Sequence, residues 1–173
     1  MNLFGAIATV GGYTMVSRIL GFVRDILIAG ILGAGPVADA FFVAFKLPNF
    51  FRRLFAEGAL NAGFVPLFSN LLANRSQMHA RAFAEQALSV LLVSLLIFVT
   101  LAQVAMPWLM QYLAPGFVDD PDRFDLAVTF TRITFPYLLF VSLVSLMGGV
   151  LNSLQRFAAV AATPVLLNIC LIT

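Results

Sequence analysis

Residues 86–118 read QALSVLLVSLLIFVTLAQVAMPWLMQYLAPGFV and contain no aspartate, glutamate, lysine or arginine. A helix of about 20 apolar residues crosses the roughly 30 Å hydrocarbon core of a bilayer, so this run is long enough to span it. Residues 133–155 and 157–173 form two further runs without these charged residues. The three runs predict membrane-spanning helices near 84–107, 126–150 and 157–173.

The composition of the whole chain favours lipid as its solvent. Of the 173 residues, 61% are hydrophobic and 10% are charged, and the mean hydropathy is +0.99. Soluble domains carry roughly 25% charged residues, so this chain has too little polar surface to cover its apolar residues in water. We predict an all-α fold, a polytopic bundle of transmembrane helices.

The same composition argues against several other classes of function. The net charge of +2 comes from ten basic and eight acidic residues, which is too balanced for a nucleic-acid-binding surface. A single cysteine cannot form an internal disulfide, and a single histidine does not suggest a zinc cluster. We expect no nucleic-acid partner, no metal site and no cofactor.

The first 66 residues contain two more apolar stretches, near 3–33 and 37–62. Residues 33–36 between them read Gly-Ala-Gly-Pro. This is a turn signal, because glycine frees the backbone and proline cannot continue a preceding helix. The two stretches therefore predict a helical hairpin, which makes about five transmembrane helices in all. Because the last segment reaches Thr173 without a following loop, we expect residues 1–173 to be an incomplete N-terminal lobe of a larger protein.

The charges of the short loops predict a cytoplasmic N-terminus, because basic loops favour the cytoplasmic side of a membrane. The loop 69–81 carries Arg75 and Arg81, and the loop before the last segment carries Arg156. The loop 114–125 is acidic instead. The two basic loops follow two and four predicted crossings, which returns the chain to the side of its N-terminus. The acidic loop follows three crossings and lies on the opposite side. All three loops therefore agree on a cytoplasmic N-terminus.

Eight ionisable side chains fall within the predicted hairpin. A charged side chain at the bilayer centre costs about 2.5 to 3.5 kcal/mol on insertion scales, so such residues usually face protein or a wet cavity. The eight residues are Arg18, Arg24, Asp25, Asp39, Lys46, Arg52, Arg53 and Glu57. Five cations and three acids leave positive charge after complete pairing. This excess suits an anionic ligand, because guanidinium groups bind phosphate oxygens in bidentate fashion. The alternative is a structural role, with ion pairs such as Arg24 with Asp39 holding helices together.

The spacing of these charges predicts their depth and facing. Arg18 and Arg52 are both 17 residues from Gly35, and Arg24 and Lys46 are both 11 residues away, so each pair should lie at a similar depth. A second set of charges is Asp39, Lys46, Arg53 and Glu57, which are separated by 7, 7 and 4 residues. On an unbroken helix these spacings place the four side chains within about 40° of one another.

Several stretches of the chain match a known family in order and spacing. The hairpin contains SRILGFVRD at 17–25, GAGPVADAFFVAFKLPN at 33–49 and RRLFAEGA at 52–59. Shorter matches are APGF at 114–117, TFPY at 134–137 and LNSLQRF at 151–157. With these residues the chain resembles the MurJ/MviN lipid II flippase family, and the resemblance runs along essentially its whole length.

The resemblance implies a fold and an activity. The fold is that of the multidrug/oligosaccharidyl-lipid/polysaccharide exporter superfamily, two helical lobes around a central cavity, and this chain would supply part of the N-terminal lobe. The activity is export of lipid II, the undecaprenyl-diphosphate-linked precursor of peptidoglycan in cell-wall synthesis and cell shape. Lipid II would move from the inner to the outer leaflet of the bacterial cytoplasmic (inner) membrane, by alternating access through an arginine-lined cavity.

The resemblance also implies roles for the hairpin charges. Arg18, Arg24 and Arg52 would bind the diphosphate and sugar head group, with Arg53 as a secondary contact. A second group would form the cavity network and its gates, namely Asp25, Asp39, Lys46 and Glu57. The expected partners are lipid II, membrane lipids and the remainder of the transporter. Transport would depend on the membrane potential, to which a positive cavity responds, or on a coupling ion.

Three other functions remain as alternatives. A related exporter would carry another polyprenyl-linked saccharide or a drug, although an arginine-rich cavity does not suit a cationic drug. A membrane-embedded enzyme would process a lipid diphosphate, but the sequence shows no His/Ser, Cys/His or acidic metal motif for it, so we predict a transporter and not an enzyme. A non-transporting scaffold would use the hairpin charges only for assembly.

Overall fold

The computed structural model describes the backbone of residues 3–172, and it describes their side chains except at positions 3, 6, 55–57 and 59–61. These residues are helical almost throughout and contain no strand, which confirms the predicted all-α fold. The α-helices are α1 Leu3–Leu32, α2 Pro36–Arg52, α3 Val65–Asn74, α4 Gln77–Leu113, α5 Pro121–Thr134, α6 Tyr137–Ser153 and α7 Phe157–Ile172. A π-helix, Arg53–Phe64, joins α2 to α3, and a short 3₁₀ turn, Pro115–Phe117, follows α4.

The helices form two compact units. Residues 3–34 and 150–172 make up the first, which we call the terminal unit, and α1 packs against α7 within it. Residues 35–149 make up the second, the central unit, in which α2 packs against α5, and α4 packs against α3 and α5. The terminal unit therefore joins the two ends of the described chain, and the central unit brings together α2 and α5, which are distant in sequence.

Local sequence explains where several helices begin and end. Gly33 has a φ of 63°, in the left-handed region that favours glycine, and it follows the last residue of α1. Pro36 then occupies the first turn of α2, where its missing N–H is not needed. At α5, the Asp120 side chain accepts a hydrogen bond from the backbone N–H of Arg123 at 3.2 Å and caps the helix. The predicted turn at 33–36 is thus present.

The helices differ in extent from the predicted segments. The second segment, 37–62, begins within α2, but helical structure continues through the π-helix and α3 to Asn74. The segment 84–107 lies inside the longer α4, and 126–150 is divided between α5 and α6 at Phe135 and Pro136. Proline explains that division, because it has no N–H to continue the hydrogen-bond ladder. The number of membrane crossings stays a prediction.

Two segments among the described residues are long and apolar enough to cross a membrane. They are Gln77–Leu113, with 37 residues, and Pro121–Ser153, with 33 residues, while Phe157–Ile172 is a shorter apolar helix. Only 17% and 28% of their most apolar stretches are buried within the chain. The core helix of a soluble protein would be mostly buried, so these exposed apolar surfaces suit contact with lipid or with further protein.

The core of the central unit combines small residues with large apolar ones. Ala40 and Ala44 of α2 are fully buried, and such small residues let helix backbones approach closely. Phe135 is also fully buried, and its ring meets those of Phe51 and Phe98 at centroid distances of 6.0 and 5.9 Å. The break between α5 and α6 therefore places an aromatic side chain at the centre of this unit.

We predict that Phe135→Ala destabilises the protein by about 3 kcal/mol, because it leaves a cavity among packed rings. This value is at the low end for buried phenylalanine, since lipid is itself an apolar solvent and the transfer contribution is small. The matched control is Phe140→Ala on α6, whose side chain is 67% exposed. The apparent Tm of the detergent-solubilised protein should fall by several degrees for Phe135→Ala and change little for Phe140→Ala. Equal shifts would contradict the packing described above.

Candidate functional site

Arg24 lies on the face of α1 that packs against α7. Three residues on that face, Ser17, Gly21 and Arg24, are each only partly exposed, and their spacings of 4 and 3 residues keep them on one side of a helix. Arg18 and Asp25, one residue further along, are exposed. The sequence thus separates two predicted ligand residues: Arg24 faces the neighbouring helix, and Arg18 lies at the edge of the contact.

The Arg24 guanidinium has partners on all three of its nitrogens. Nε and Nη2 donate to Oδ1 of Asp25 at 3.1 and 2.8 Å, and Nη1 donates to Oδ1 of Asn168 on α7 at 2.9 Å. The Arg24 side chain is 27% exposed and that of Asp25 is 66% exposed, so water screens the acid more than the base. Asp25 and Asn168 use three of the five guanidinium N–H groups, so Arg24 keeps donors for a further partner.

Arg18 lines a cavity of about 440 Å³ between α1 and α7. Thr14 and Ser17 of α1 and Asn152 at the end of α6 provide its other polar side chains. The remaining lining is apolar and comprises Val10, Phe157, Val160, Ala161 and Pro164. A guanidinium at an otherwise mostly apolar cavity suits an amphipathic ligand with an anionic group.

Three charged residues, two in α2 and one at the start of the π-helix, lie on one exposed face of the central unit. Asp39, Lys46 and Arg53 are exposed, whereas Ala40 and Ala44 are buried on the other side of the helix. Exposed aromatic residues, Phe42 and Phe50, alternate with the charges along the same face. This arrangement presents both charge and aromatic surface to whatever contacts α2.

Glu57, the fourth member of the predicted stripe, has a side chain outside the described residues. The stripe was projected on an unbroken α-helix, and that assumption is wrong beyond Arg52, because the π-helix begins at Arg53. Its i→i+5 hydrogen bonds change the angular spacing of residues.

The remaining ligand residue, Arg52, is partly exposed, and its Nε donates to Oδ1 of Asn49 at 3.3 Å.

Asp39 pairs with a residue that the sequence analysis did not select. Its Oδ2 lies 3.8 Å from Nη2 of Arg123 at the start of α5, and Nε of Arg123 lies 3.7 Å from Oδ2 of Asp120. The Arg123 guanidinium also lies over the Phe117 ring, 5.4 Å from its centroid, a favourable cation–π geometry. These contacts hold the N-terminal end of α2 beside the N-terminal end of α5.

The part of the chain that the structure describes does not contain the ion pair of Arg24 with Asp39 that the sequence suggested as an example. Arg24 pairs with Asp25 and Asp39 pairs with Arg123, each within its own unit. Among the described side chains, Arg18, Lys46 and Arg53 form no ion pair. Pairing accounts for part of the charge in the hairpin and leaves cations available for a ligand.

Asn168 contacts Arg24 and Arg123 contacts Asp39, and the sequence did not indicate either contact because the partners are far apart in the chain. Asn168 is 144 residues from Arg24, and no local pattern joins them. For Asn168, the available signal was its amide within an otherwise apolar run, because buried amides need hydrogen-bond partners. Arg123 was the only basic residue of an acidic loop, which marked it as a candidate partner for an acid.

The chain is similar to known proteins along almost its whole length. Residues 28–173 match the family model described as lipid II flippase MurJ. The chain belongs to the lipid II flippase MurJ family. This membership confirms the resemblance found in the sequence, and the exposed apolar helices agree with a protein of the membrane.

Three relatives illustrate the similarity. A probable lipid II flippase MurJ of Rhizobium meliloti (strain 1021) is 50% identical over 99% of this chain and 32% of its own length. A probable lipid II flippase MurJ of Rhizobium tropici is 47% identical over 100% of this chain and 33% of its own length. The lipid II flippase MurJ of Burkholderia cenocepacia is 41% identical over 99% of this chain and 33% of its own length. The chain thus spans about a third of the length of these curated relatives.

The contact between Asp39 and Arg123 can be measured by a double-mutant cycle with Asp39→Asn and Arg123→Gln. We expect a coupling of at most about 1 kcal/mol, because both side chains are partly exposed and water screens their attraction. The apparent Tm of the four proteins gives this coupling.

The matched control for this cycle is Asp125→Asn, at an exposed acid of α5 that forms no ion pair among the described side chains. Its effect should be the same with and without Arg123→Gln. If Asp39→Asn were equally insensitive to the residue at 123, the ion pair would contribute nothing to stability.

Proposed function

We propose that this chain forms part of a lipid II flippase, which moves the undecaprenyl-diphosphate-linked peptidoglycan precursor from the inner to the outer leaflet of the cytoplasmic membrane. The observation that carries the proposal is the match of nearly the whole chain to relatives named lipid II flippases. The cavity of the terminal unit adds chemical support, because Arg18 lies in its otherwise mostly apolar lining. In this proposal the protein transports its substrate and does not alter it.

In this proposal Arg18, Arg24 and Arg52 bind the diphosphate and sugar head group, and Arg53 is a secondary contact. Diphosphate in low-dielectric surroundings needs compensating positive charge and bidentate donors, and arginine supplies both. Asp25, Asp39, Lys46 and Glu57 belong to the cavity network and its gates, and the polyprenyl tail stays among membrane lipids. Alternating access would expose the cavity to one side at a time and avoid a continuous leak.

The proposed orientation places the N-terminus in the cytoplasm of a bacterial cell and the hairpin turn outside. On this topology the turn at 33–36 and the acidic loop 114–125 lie on the same side, after one and three crossings. The ion pair of Asp39 with Arg123 supports a common side for that turn and that loop, since it joins the residues next to them, while the basic loops support a cytoplasmic N-terminus. Coupling of transport to the membrane potential is part of the proposal, because a cationic cavity responds to it.

The test measures lipid II on the outer leaflet of cells that depend on the gene encoding this chain. Wild type is compared with Arg18→Ala, Arg24→Ala and Arg52→Ala at matched membrane abundance, using an impermeant reagent that cleaves lipid II. We expect each variant to reduce cleavage by about tenfold, the loss expected for one charge-assisted contact, with lipid II accumulating inside.

The matched control is Arg81→Ala, which removes an arginine that is exposed on α4 and paired with Glu85 at 2.8 Å. Export should be unchanged in this variant. Normal export in all three arginine variants would assign these hairpin arginines a structural role and remove the chemical support for the proposed function.

A further inference from the structure

The amide of Asn168 is a buried polar group in an apolar helix. Only 6% of the residue is exposed, although it lies within the run VLLNICLI of α7. Burying an amide without hydrogen bonds is costly, so its partners decide whether it can lie there. Asn168 Oδ1 accepts from Nη1 of Arg24 at 2.9 Å, and its Nδ2 donates to the backbone oxygen of Ser17 at 2.9 Å. One side chain thus contacts α1 at two positions, seven residues apart.

Gly21 makes room for this contact, because it lies between Ser17 and Arg24 on the same face of α1. A β-carbon at position 21 would lie 3.6 Å from Nδ2 and 3.9 Å from Oδ1 of Asn168, which is ordinary contact distance. A side chain longer than a methyl group would therefore occupy the space of the amide. The small residue allows α7 to place its amide between the two positions that it contacts.

The hydrogen bonds of Arg24 leave donors for a ligand. A guanidinium has five N–H groups, and three of them are used by Asp25 and Asn168. Two N–H groups remain, one on each terminal nitrogen, and a bidentate phosphate contact uses such a pair. Asp25 fixes Nε and Nη2, and Asn168 fixes Nη1, so the guanidinium plane is held from both sides.

The neutrality of Asn168 matters as much as its geometry. A carboxylate of the same size at position 168 would also accept from Arg24, but it would add a second negative charge beside the guanidinium. It would then repel an anionic ligand and lose the donor to the Ser17 oxygen. An amide orders the guanidinium without neutralising it.

We propose that Asn168 is a positioning residue, which holds the Arg24 guanidinium for bidentate contact with the diphosphate of the substrate while preserving its positive charge. The inference rests on the proposed function, in which Arg24 binds the diphosphate. It assigns to α7 a part in substrate binding through a residue that itself contacts only α1. The rival explanation is that Asn168 merely fastens α7 to α1.

The experiment measures the affinity of the purified, full-length protein for lipid II in nanodiscs, with Asn168→Leu and Asn168→Asp tested in wild-type and Arg24→Ala backgrounds. We expect Asn168→Leu to weaken binding by about tenfold, since a hydrogen bond to a charged group is lost. Asn168→Asp should weaken binding at least as much, although it keeps the size and the acceptor of asparagine. In the Arg24→Ala background, both substitutions should change the affinity by less than about twofold, because the residue they act through is gone.

The matched control is Thr163→Val on the same helix, where the hydroxyl donates only to the Ala159 oxygen at 3.2 Å. Its affinity should equal that of wild type. Equal losses for Asn168→Leu in both backgrounds would overturn the inference in favour of simple fastening. If Asn168→Leu does not reach the membrane, Asn168→Asp decides alone, and an unchanged affinity in that variant overturns the inference.

Arg24→Ala distinguishes failure of the inference from failure of the proposed function. If Arg24→Ala weakens lipid II binding and the Asn168 variants do not, the positioning role is wrong and the proposed binding residue stands. If Arg24→Ala binds lipid II as well as wild type does, Arg24 is not a ligand of the diphosphate and both conclusions are overturned.

Discussion

A guanidinium among apolar helices needs an opposite charge or a polar group close by, and this constraint shapes both units of the chain. In the terminal unit it brings Asp25 and Asn168 to Arg24, which ties α7 to α1. In the central unit it brings Asp39 and Asp120 to Arg123, which ties α2 to α5. In each unit, one arginine joins elements that are far apart in sequence. Both ion pairs are partly exposed, so water screens their attraction, and the contacts of the two arginines fix which helices meet more than they add to stability.

The same constraint connects the fold to the proposed function. Internal partners satisfy Arg24 only in part, and Arg18 lines a cavity with few other polar groups. Lys46 lies on an exposed face of α2 that also carries Phe42 and Phe50, and the exposed Arg53 follows at the start of the π-helix. Positive charge and apolar surface thus occur side by side, which is the chemistry that a diphosphate on a long hydrocarbon chain requires. Arg18, Lys46 and Arg53 form no ion pair with any described side chain, which leaves positive charge for a ligand.

Much of the fold followed from local sequence, because uncharged runs and turn residues act over short distances. The run 86–118 lies mostly within α4, and the glycine and proline at 33–36 end α1 and begin α2. The π-helix after Arg52 was not foreseen, since no residue pattern in that stretch distinguishes it from an α-helix. The contacts of Asn168 and Arg123 were also not foreseen, because they depend on which helices pack together. Periodicity shows which face of a helix is polar, but it does not show which distant helix meets that face.

The proposal that the cavity beside Arg18 binds the lipid diphosphate is tested most directly by site-specific photocrosslinking in living cells. A photoreactive amino acid at Val160, in the wall of the cavity beside Arg18, is compared with one at Leu101, which is 63% exposed on α4. Both positions meet apolar groups, so lipid contact alone would label both. We expect a covalent adduct with lipid II at Val160 that is lost with Arg18→Ala, and little or no adduct at Leu101. Equal labelling at the two positions, or labelling at Val160 that does not depend on Arg18, would contradict this proposal.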